Sequence, residues 1–224
     1  MKTELNILQT AFRLFLGEGF SDISTNEIIR EAGTTKGGFY YCFKSREDLV
    51  GKVIETYLRP YYLQPLEEMR QAWENKRADV STKTLLWDAF FAPQRFRRFQ
   101  ENIGMDIAFR DFYFLLYEGM KKYEEVQSYF AQNTEERRRV LRRILERGKE
   151  RKEIAADVDI ESCVMMTLAM QDGILALKVL DETIDDEEKY RYMEEQLWRD
   201  IAAQDIYLKY LHGGCLLYTS DAAD

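Results

Sequence analysis

The segment from Thr34 to Arg46 reads Thr-Thr-Lys-Gly-Gly-Phe-Tyr-Tyr-Cys-Phe-Lys-Ser-Arg, with the cations Lys36, Lys44 and Arg46 and no acid. Ammonium and guanidinium groups set among hydroxyls and rings attract phosphate oxygens, and Gly37 and Gly38 leave a backbone that another molecule can approach closely. The surroundings are not basic. Residues 1–60 hold eight basic and eight acidic groups, and the whole chain carries a formal net charge of −8. An acidic chain does not coat nucleic acid indiscriminately, so any DNA contact must be local. Taken alone, the same residues also fit a blander role, with Lys44 and Arg46 as solvated helix-end charges, Phe39 and Tyr40 as core, and the glycines as an ordinary loop.

Catalytic chemistry has little to draw on. The single histidine, His212, lies near the end of the sequence, so neither a Glu-x-x-His metal pair nor a histidine-based triad is available within a helical bundle. A phosphate-cradling GxxxxGK[ST] loop is missing as well. Cys42, Cys163 and Cys215 are widely spaced without a CxxC pair, which suggests neither a disulfide framework nor a zinc site and fits a reducing compartment. The expectation is a protein without catalytic residues, metal or cofactor. Met1 to Asn6 lack an apolar signal core, and no stretch reads as the ~18 to 20 apolar residues of a membrane span. A cytoplasmic protein without membrane contact is expected.

The elements that must position these residues are helical. Hydrophobic residues make up 46% and charged residues 32%, a globular composition, and three prolines interrupt helices rarely. Leu5, Leu8, Ala11, Phe12 and Phe15 recur at helical spacing, which predicts a first helix over 4–16 that Gly17 to Gly19 ends. Ser24 and Glu27 form a capping box for a second helix reaching about Ala32; Gly33 stops it, and Thr34 or Thr35 caps a third over 35–42. Ser45 and Asp48 open a fourth, with Leu49, Val53, Ile54 and Tyr57 on one side. Candidate helices follow near 64–77, 82–92, 95–104, 106–120, 121–131 and 134–150, the last ended by Gly148, and then 160–180 and 186–211. The fold class is all-α, a three-helix helix-turn-helix domain over 1–50 followed by a larger helical domain over 51–212. Residues 213–224 read as a tail whose wording looks like translated adapter sequence, which leaves open whether it is native.

Over about residues 5–55 the sequence resembles the DNA-binding domain of the TetR family of transcriptional regulators. Ile7-Leu8, Ala11, Leu14-Phe15, Gly19-Phe20, Ser24, Ile28, Glu31-Ala32-Gly33, Gly37, Phe39-Tyr40, Phe43, Ser45 and Leu49 stand in register with its pattern. A short turn at Gly33 sets two helices at a steep angle and lets the second enter the ~12 Å major groove. Gly37 and Gly38 together cost roughly 2 kcal/mol of helix stability relative to alanines, tolerable where side chains would collide with the groove. The resemblance implies that Thr34, Thr35, Lys36, Gly37 and Gly38 open the reading helix toward bases and sugars. It further implies that Tyr40 and Lys44 reach phosphates, that Ser24 and Thr25 add backbone contacts, and that Tyr41 and Arg46 belong to the same DNA-binding set. Cys42 stands where the family usually has His and Arg46 where it usually has Lys, so the phosphate contacts differ in detail.

The resemblance also implies a homodimer, through helices near 160–180 and 186–211, on a palindromic operator. The apolar character of 160–180 on all sides supports this independently, because one face can pack on its own core and another on a second copy. A wholly internal core helix is the alternative. The region between Trp73 and Phe130 is dense in aromatics. An apolar cavity with few polar groups is the usual small-molecule site, so Trp73, Trp87, Phe91, Met105, Phe109, Phe112, Tyr113, Tyr117, Met166 and Met170 are candidates for an effector pocket. Asp106, Asp111, Glu118 and Asp172 could pair with a cationic effector, or serve as surface salt-bridge groups. The reading is a sequence-specific repressor released by a small-molecule effector; the alternative is a helical protein-binding module without DNA affinity.

Overall fold

The computed structural model describes residues 2–63, 66–67, 80–91, 95–184 and 186–213. The helices are α1 (Lys2–Asp22), α2 (Thr25–Glu31), α3 (Lys36–Cys42), α4 (Arg46–Val53), α5 (Thr82–Leu86), α6 (Arg95–Ile103), α7 (Phe109–Lys122), α8 (Glu124–Glu150), α9 (Ile160–Leu180), α10 (Asp186–Ile201) and α11 (Gln204–Gly213). Wider π-helical turns extend α4 over Ile54–Leu58 and α5 over Trp87–Phe91. The all-α reading holds for the described residues. The expected helix at 64–77 falls mostly outside them, as does the tail beyond Gly213.

Two compact units emerge, interleaved along the chain. The first combines residues up to 67 with 95–135 and 179–182; the second combines 80–91 with 136–178 and 183–213. In the first, Ile7, Ala11, Phe12 and Phe15 of α1 are fully buried with Phe20, Ile28, Phe39 and Leu49. Of the spacing read from the sequence, Leu8, Ala11, Phe12 and Phe15 form the buried stripe, whereas Leu5 is 51% exposed and Ile7 is buried in its stead. Each such side chain contributes roughly 1.5–3 kcal/mol on burial. Below it Phe12 stacks on Tyr57 at 4.1 Å, and Phe112 meets Phe99 at 4.7 Å and Tyr61 at 4.9 Å.

In the second unit Val140, Leu141, Ile144 and Leu145 of α8 are buried, as expected, with Val164 and Leu168 of α9 and Trp198 and Ile201 of α10. Polar ties hold the elements. The Thr82 amide donates to Glu153 Oε2 at 2.6 Å, Arg137 donates to Asp172 and Gln171 at 3.0 and 2.8 Å, and the Gln171 amide donates to the Phe90 carbonyl. By length and composition α9 could cross a bilayer, contrary to the expectation that no stretch would. Its Gln171, Asp172 and Glu161 are instead bonded to protein groups, Glu161 by Arg142. Such bonds belong to a helix packed against protein.

Four boundaries differ from the sequence expectation. The first helix starts at Lys2 and extends past the expected end at 16 before breaking at Gly19, inside the expected Gly17–Gly19 stop, where φ is +83°; a short helical stretch then continues to Asp22. The two helices expected at 121–131 and 134–150 are one from Glu124 to Glu150, α8, with 121–122 in α7, and the Asn133 side-chain amide donates to the Tyr62 carbonyl at 2.7 Å. Gly148 does not end α8 either: a Cβ there would lie 2.6 Å from Ile154 Cδ1 and 2.9 Å from Thr82 Cγ2, so its size admits neighbours. The expected helix 186–211 breaks at Ala202-Ala203, where an isolated antiparallel bridge to Ile154 captures the backbone. There Ala155 N–H donates to Ile201 O at 2.8 Å and Ala203 N–H to Glu153 O at 3.0 Å.

Candidate nucleic-acid interface

Helices α2, α3 and α4 each start on a side-chain cap. Ser24 Oγ accepts from the Glu27 amide at 3.2 Å, Thr35 Oγ1 from the Gly38 amide at 3.0 Å, and Ser45 Oγ from the Asp48 amide at 3.2 Å. The reciprocal halves of the two expected capping boxes differ. Glu27 pairs with Arg30 at 3.5 Å, and Asp48 Oδ2 accepts from the Lys44 amide at 2.8 Å, one residue ahead of the cap. Between α2 and α3, Gly33 takes φ +60°, the left-handed region where glycine avoids a Cβ penalty, and closes the turn. Asn6 Nδ2 donates to the Ala32 carbonyl at 2.7 Å, fastening the end of α2 to α1.

Helix α3 is held by one side and open on the other. Phe39 is fully buried and Phe43 nearly so, whereas Tyr40 is 56% and Tyr41 92% exposed. Thr35, Lys36 and Gly37 are exposed, Thr34 and Gly38 partly so, and Lys44 exposed just past the helix end. Lys36 and Tyr40 lie four apart on α3 and so share a face, while Lys44 follows the extended Phe43 just past the helix end. The two glycines differ. A Cβ at Gly37 would meet nothing nearer than Thr35 Oγ1 at 3.8 Å, while one at Gly38 would press on Thr34 Oγ1 at 2.6 Å. Gly38 therefore has a reason internal to the cap, and Gly37 has none inside the chain.

Arg46 departs from the expected DNA-binding set. Its Nε donates to the Ile23 carbonyl at 3.2 Å and its Nη2 to the Phe20 carbonyl, and the guanidinium lies 5.9 Å above the Phe15 ring. A planar fork with several donors can satisfy two carbonyls at once, so the departure from lysine at this position has an internal use. Ser24 is exposed and Thr25 partly so, with the Ser24 hydroxyl engaged in its cap. Cys42 is half-buried against the core.

The effector candidates divide between the units. Met105, Phe109 and Phe112 are buried in the first, Phe112 enclosed by Phe12, Tyr61, Phe96 and Phe99. Tyr113 and Tyr117 bring their hydroxyls within 3.3 Å of each other, and Tyr117 lines an open surface hollow of about 660 Å³ with Glu118 and Lys122. In the second unit Trp87 and Met170 are half-buried and Met166 is 58% exposed; Phe91 closes the π-helical turn, and Trp73 lies outside the described residues. Of the acidic candidates, Glu118 accepts the Phe20 amide, Asp172 pairs with Arg137, and Asp106 accepts from Gln100 at 3.0 Å. Sequence reading set Glu118 aside as a possible ligand group, and nothing in its spacing signalled a partner 98 residues earlier.

Residues 7–53 match the family model described as bacterial regulatory proteins, tetR family. The HTH-type transcriptional regulator SrpR of Pseudomonas putida is 20% identical over 176 residues, covering 78% of this chain and 74% of that one. The HTH-type transcriptional regulator AcrR of Shigella flexneri is 41% identical over 54 residues, 24% of this chain and 25% of its own length. In fold, the chain is similar to the TetR family regulator PfmR of Thermus thermophilus, with a TM-score of 0.57, 22% identity, and coverage of 86% of this chain and 97% of that one.

Proposed function

We propose that this chain, whose residues 7–53 carry the TetR-type helix-turn-helix domain, is a sequence-specific DNA-binding transcriptional regulator. The observation that carries the reading is the open face of α3. Lys36, Gly37, Tyr40 and Tyr41 are exposed on a helix anchored by the buried Phe39, so two adjacent rings with hydroxyls and a cation stand open to a partner. Tyrosine hydroxyls and lysine ammonium groups suit phosphates, while the bare Gly37 backbone suits close approach to base edges. One such patch neutralises few phosphates, so tight binding needs two copies on a palindromic site.

The rest of the reading is a repressor acting as a cytoplasmic homodimer, without catalytic activity. The second copy packs along α9 and the α10–α11 region, a reading supported by Met165, Met166 and Leu177, each more than half exposed on an otherwise apolar helix. A small-molecule effector held by the domain over 51–212 favours the arrangement that does not bind DNA. A difference of ~1 to 3 kcal/mol between arrangements suffices for release, by reciprocal linkage.

The test is binding of the purified protein to its own upstream intergenic DNA at two salt concentrations, with Tyr40→Ala and Lys44→Ala beside it. Specific binding weakened in both, and a salt slope lower by about one for Lys44→Ala, is expected. A folded dimer that binds no specific DNA would overturn the reading in favour of a protein-binding module.

A further inference from the structure

The α1–α2 turn, the segment of residues 20–23 between the Gly19 break and α2, is gripped from two sides by groups far away in sequence. On one side Glu118 Oε2 of α7 accepts the Phe20 amide at 2.9 Å, and Glu118 Oε1 lies 2.6 Å from Lys122 Nζ and 3.4 Å from Ser21 Oγ. Lys122 also donates to the Ser21 hydroxyl, which closes the ring of contacts. On the other side Arg46, the first residue of α4, holds the Phe20 and Ile23 carbonyls. The Phe20 ring packs edge-on against Tyr123, just beyond α7, at 5.1 Å.

The backbone just before the turn is shaped to this grip. Gly19 sits at φ +83°, and a Cβ there would stand 2.5 Å from Glu118 Oε2. The carboxylate thus occupies the space that only a glycine leaves. Because α1 ends and α2 begins across residues 20–24, the direction of α2, and of α3 beyond the Gly33 turn, depends on how this segment is held.

We infer that Glu118 is a positioning residue for DNA binding: with Arg46 opposing it, it fixes the α1–α2 turn to α7, so a displacement of α7 reaches the reading helix through the Phe20 amide. The inference rests on the DNA-binding reading above and names the link through which an effector would act on it. Glu118 touches no DNA in this scheme. Its effect is on geometry, which separates it from Lys44 and Tyr40.

The test compares the full-length native chain with E118A and E118Q. Alanine removes the acceptor for the Phe20 amide; glutamine keeps an acceptor oxygen but loses the charge facing Lys122. Expected for E118A are hydrogen exchange at the Phe20 amide faster by about tenfold and operator affinity weaker by about tenfold, about 1.4 kcal/mol. Affinity for non-specific DNA should stay within about twofold, since that term depends on phosphate contacts. E118Q should recover most of both losses. Unchanged exchange and unchanged operator affinity in E118A overturn the inference, and so does a parallel loss on specific and non-specific DNA that follows a lower melting temperature. If the native protein itself shows no specific binding, the regulator reading falls, and exchange at Phe20 and across α2 and α3 then decides the link: acceleration in E118A upholds it, and none overturns it.

Discussion

Gly37→Ala should make the protein more stable and a poorer DNA binder at once. The position is helical and a Cβ there has open space, with its nearest neighbour, Thr35 Oγ1, at an ordinary 3.8 Å. Replacing a helical glycine by alanine then gains roughly 0.5–1 kcal/mol, mainly by restricting the unfolded chain. For a chain of this size that raises the melting temperature by about 2 °C. On DNA the same methyl stands beside Lys36 and Tyr40 on the open face of α3 and holds the helix away from the base edges. The loss should fall in the ~1 to 3 kcal/mol range of a spoiled base-pair contact, about 5- to 150-fold in operator affinity. Calorimetry and fluorescence anisotropy on an operator fragment measure the two effects separately. Gly38→Ala is the control, because its Cβ would press on Thr34 Oγ1 at 2.6 Å and the stability gain should disappear. A Gly37→Ala protein that binds its operator as tightly as the native one would refute the reasoning, since the open glycine would then serve neither fold nor DNA.

Three further outcomes follow from the same geometry. Phe112→Ala removes a fully buried ring packed on Phe12, Tyr61, Phe96 and Phe99 and should cost about 3–5 kcal/mol in chemical denaturation; a loss below about 1 kcal/mol would mean the first unit is not built around it. Thr35→Ala removes the acceptor of the Gly38 amide and should destabilise by about 1 kcal/mol, with Thr35→Ser close to native. The Glu118 carboxyl is pushed up by burial, but hydrogen bonds from Lys122, the Phe20 amide and Ser21 outweigh that and hold it below the ordinary carboxylate range. Its contribution is therefore present above the unfolded value of about 4.3 and lost as pH falls through the lower folded value. The stability gap between the native protein and Glu118→Gln should accordingly narrow from about pH 6 to about pH 3, and a gap that widened on acidification would reverse the sign.

The N-terminal motif was legible because its information is local. Hydrophobic spacing, three caps and a turn glycine each act within a few residues, and Ser24, Gly33, Thr35 and Ser45 do what their types suggested. The all-α class followed for the same reason. Less was legible where a distant group decides the outcome. Nothing near Ala202 breaks a helix; the backbone of Glu153 to Ala155 does, by offering other hydrogen bonds. Asn133 lies where the sequence divides two helices, and inside α8 its side-chain amide goes to the Tyr62 carbonyl. The DNA-contact role read into Arg46 and the ligand role considered for Glu118 came from their charges, which the sequence displays. Arg46 is taken up by the Phe20 and Ile23 carbonyls, and Glu118 by the Phe20 amide beside Lys122 and Ser21; a backbone amide or carbonyl carries no mark in a sequence. Residue type and spacing therefore determined the helices and which face of α3 stays exposed, while tertiary structure decided which charges are taken up inside the chain, because a charge goes to whichever polar group folding brings within hydrogen-bond reach.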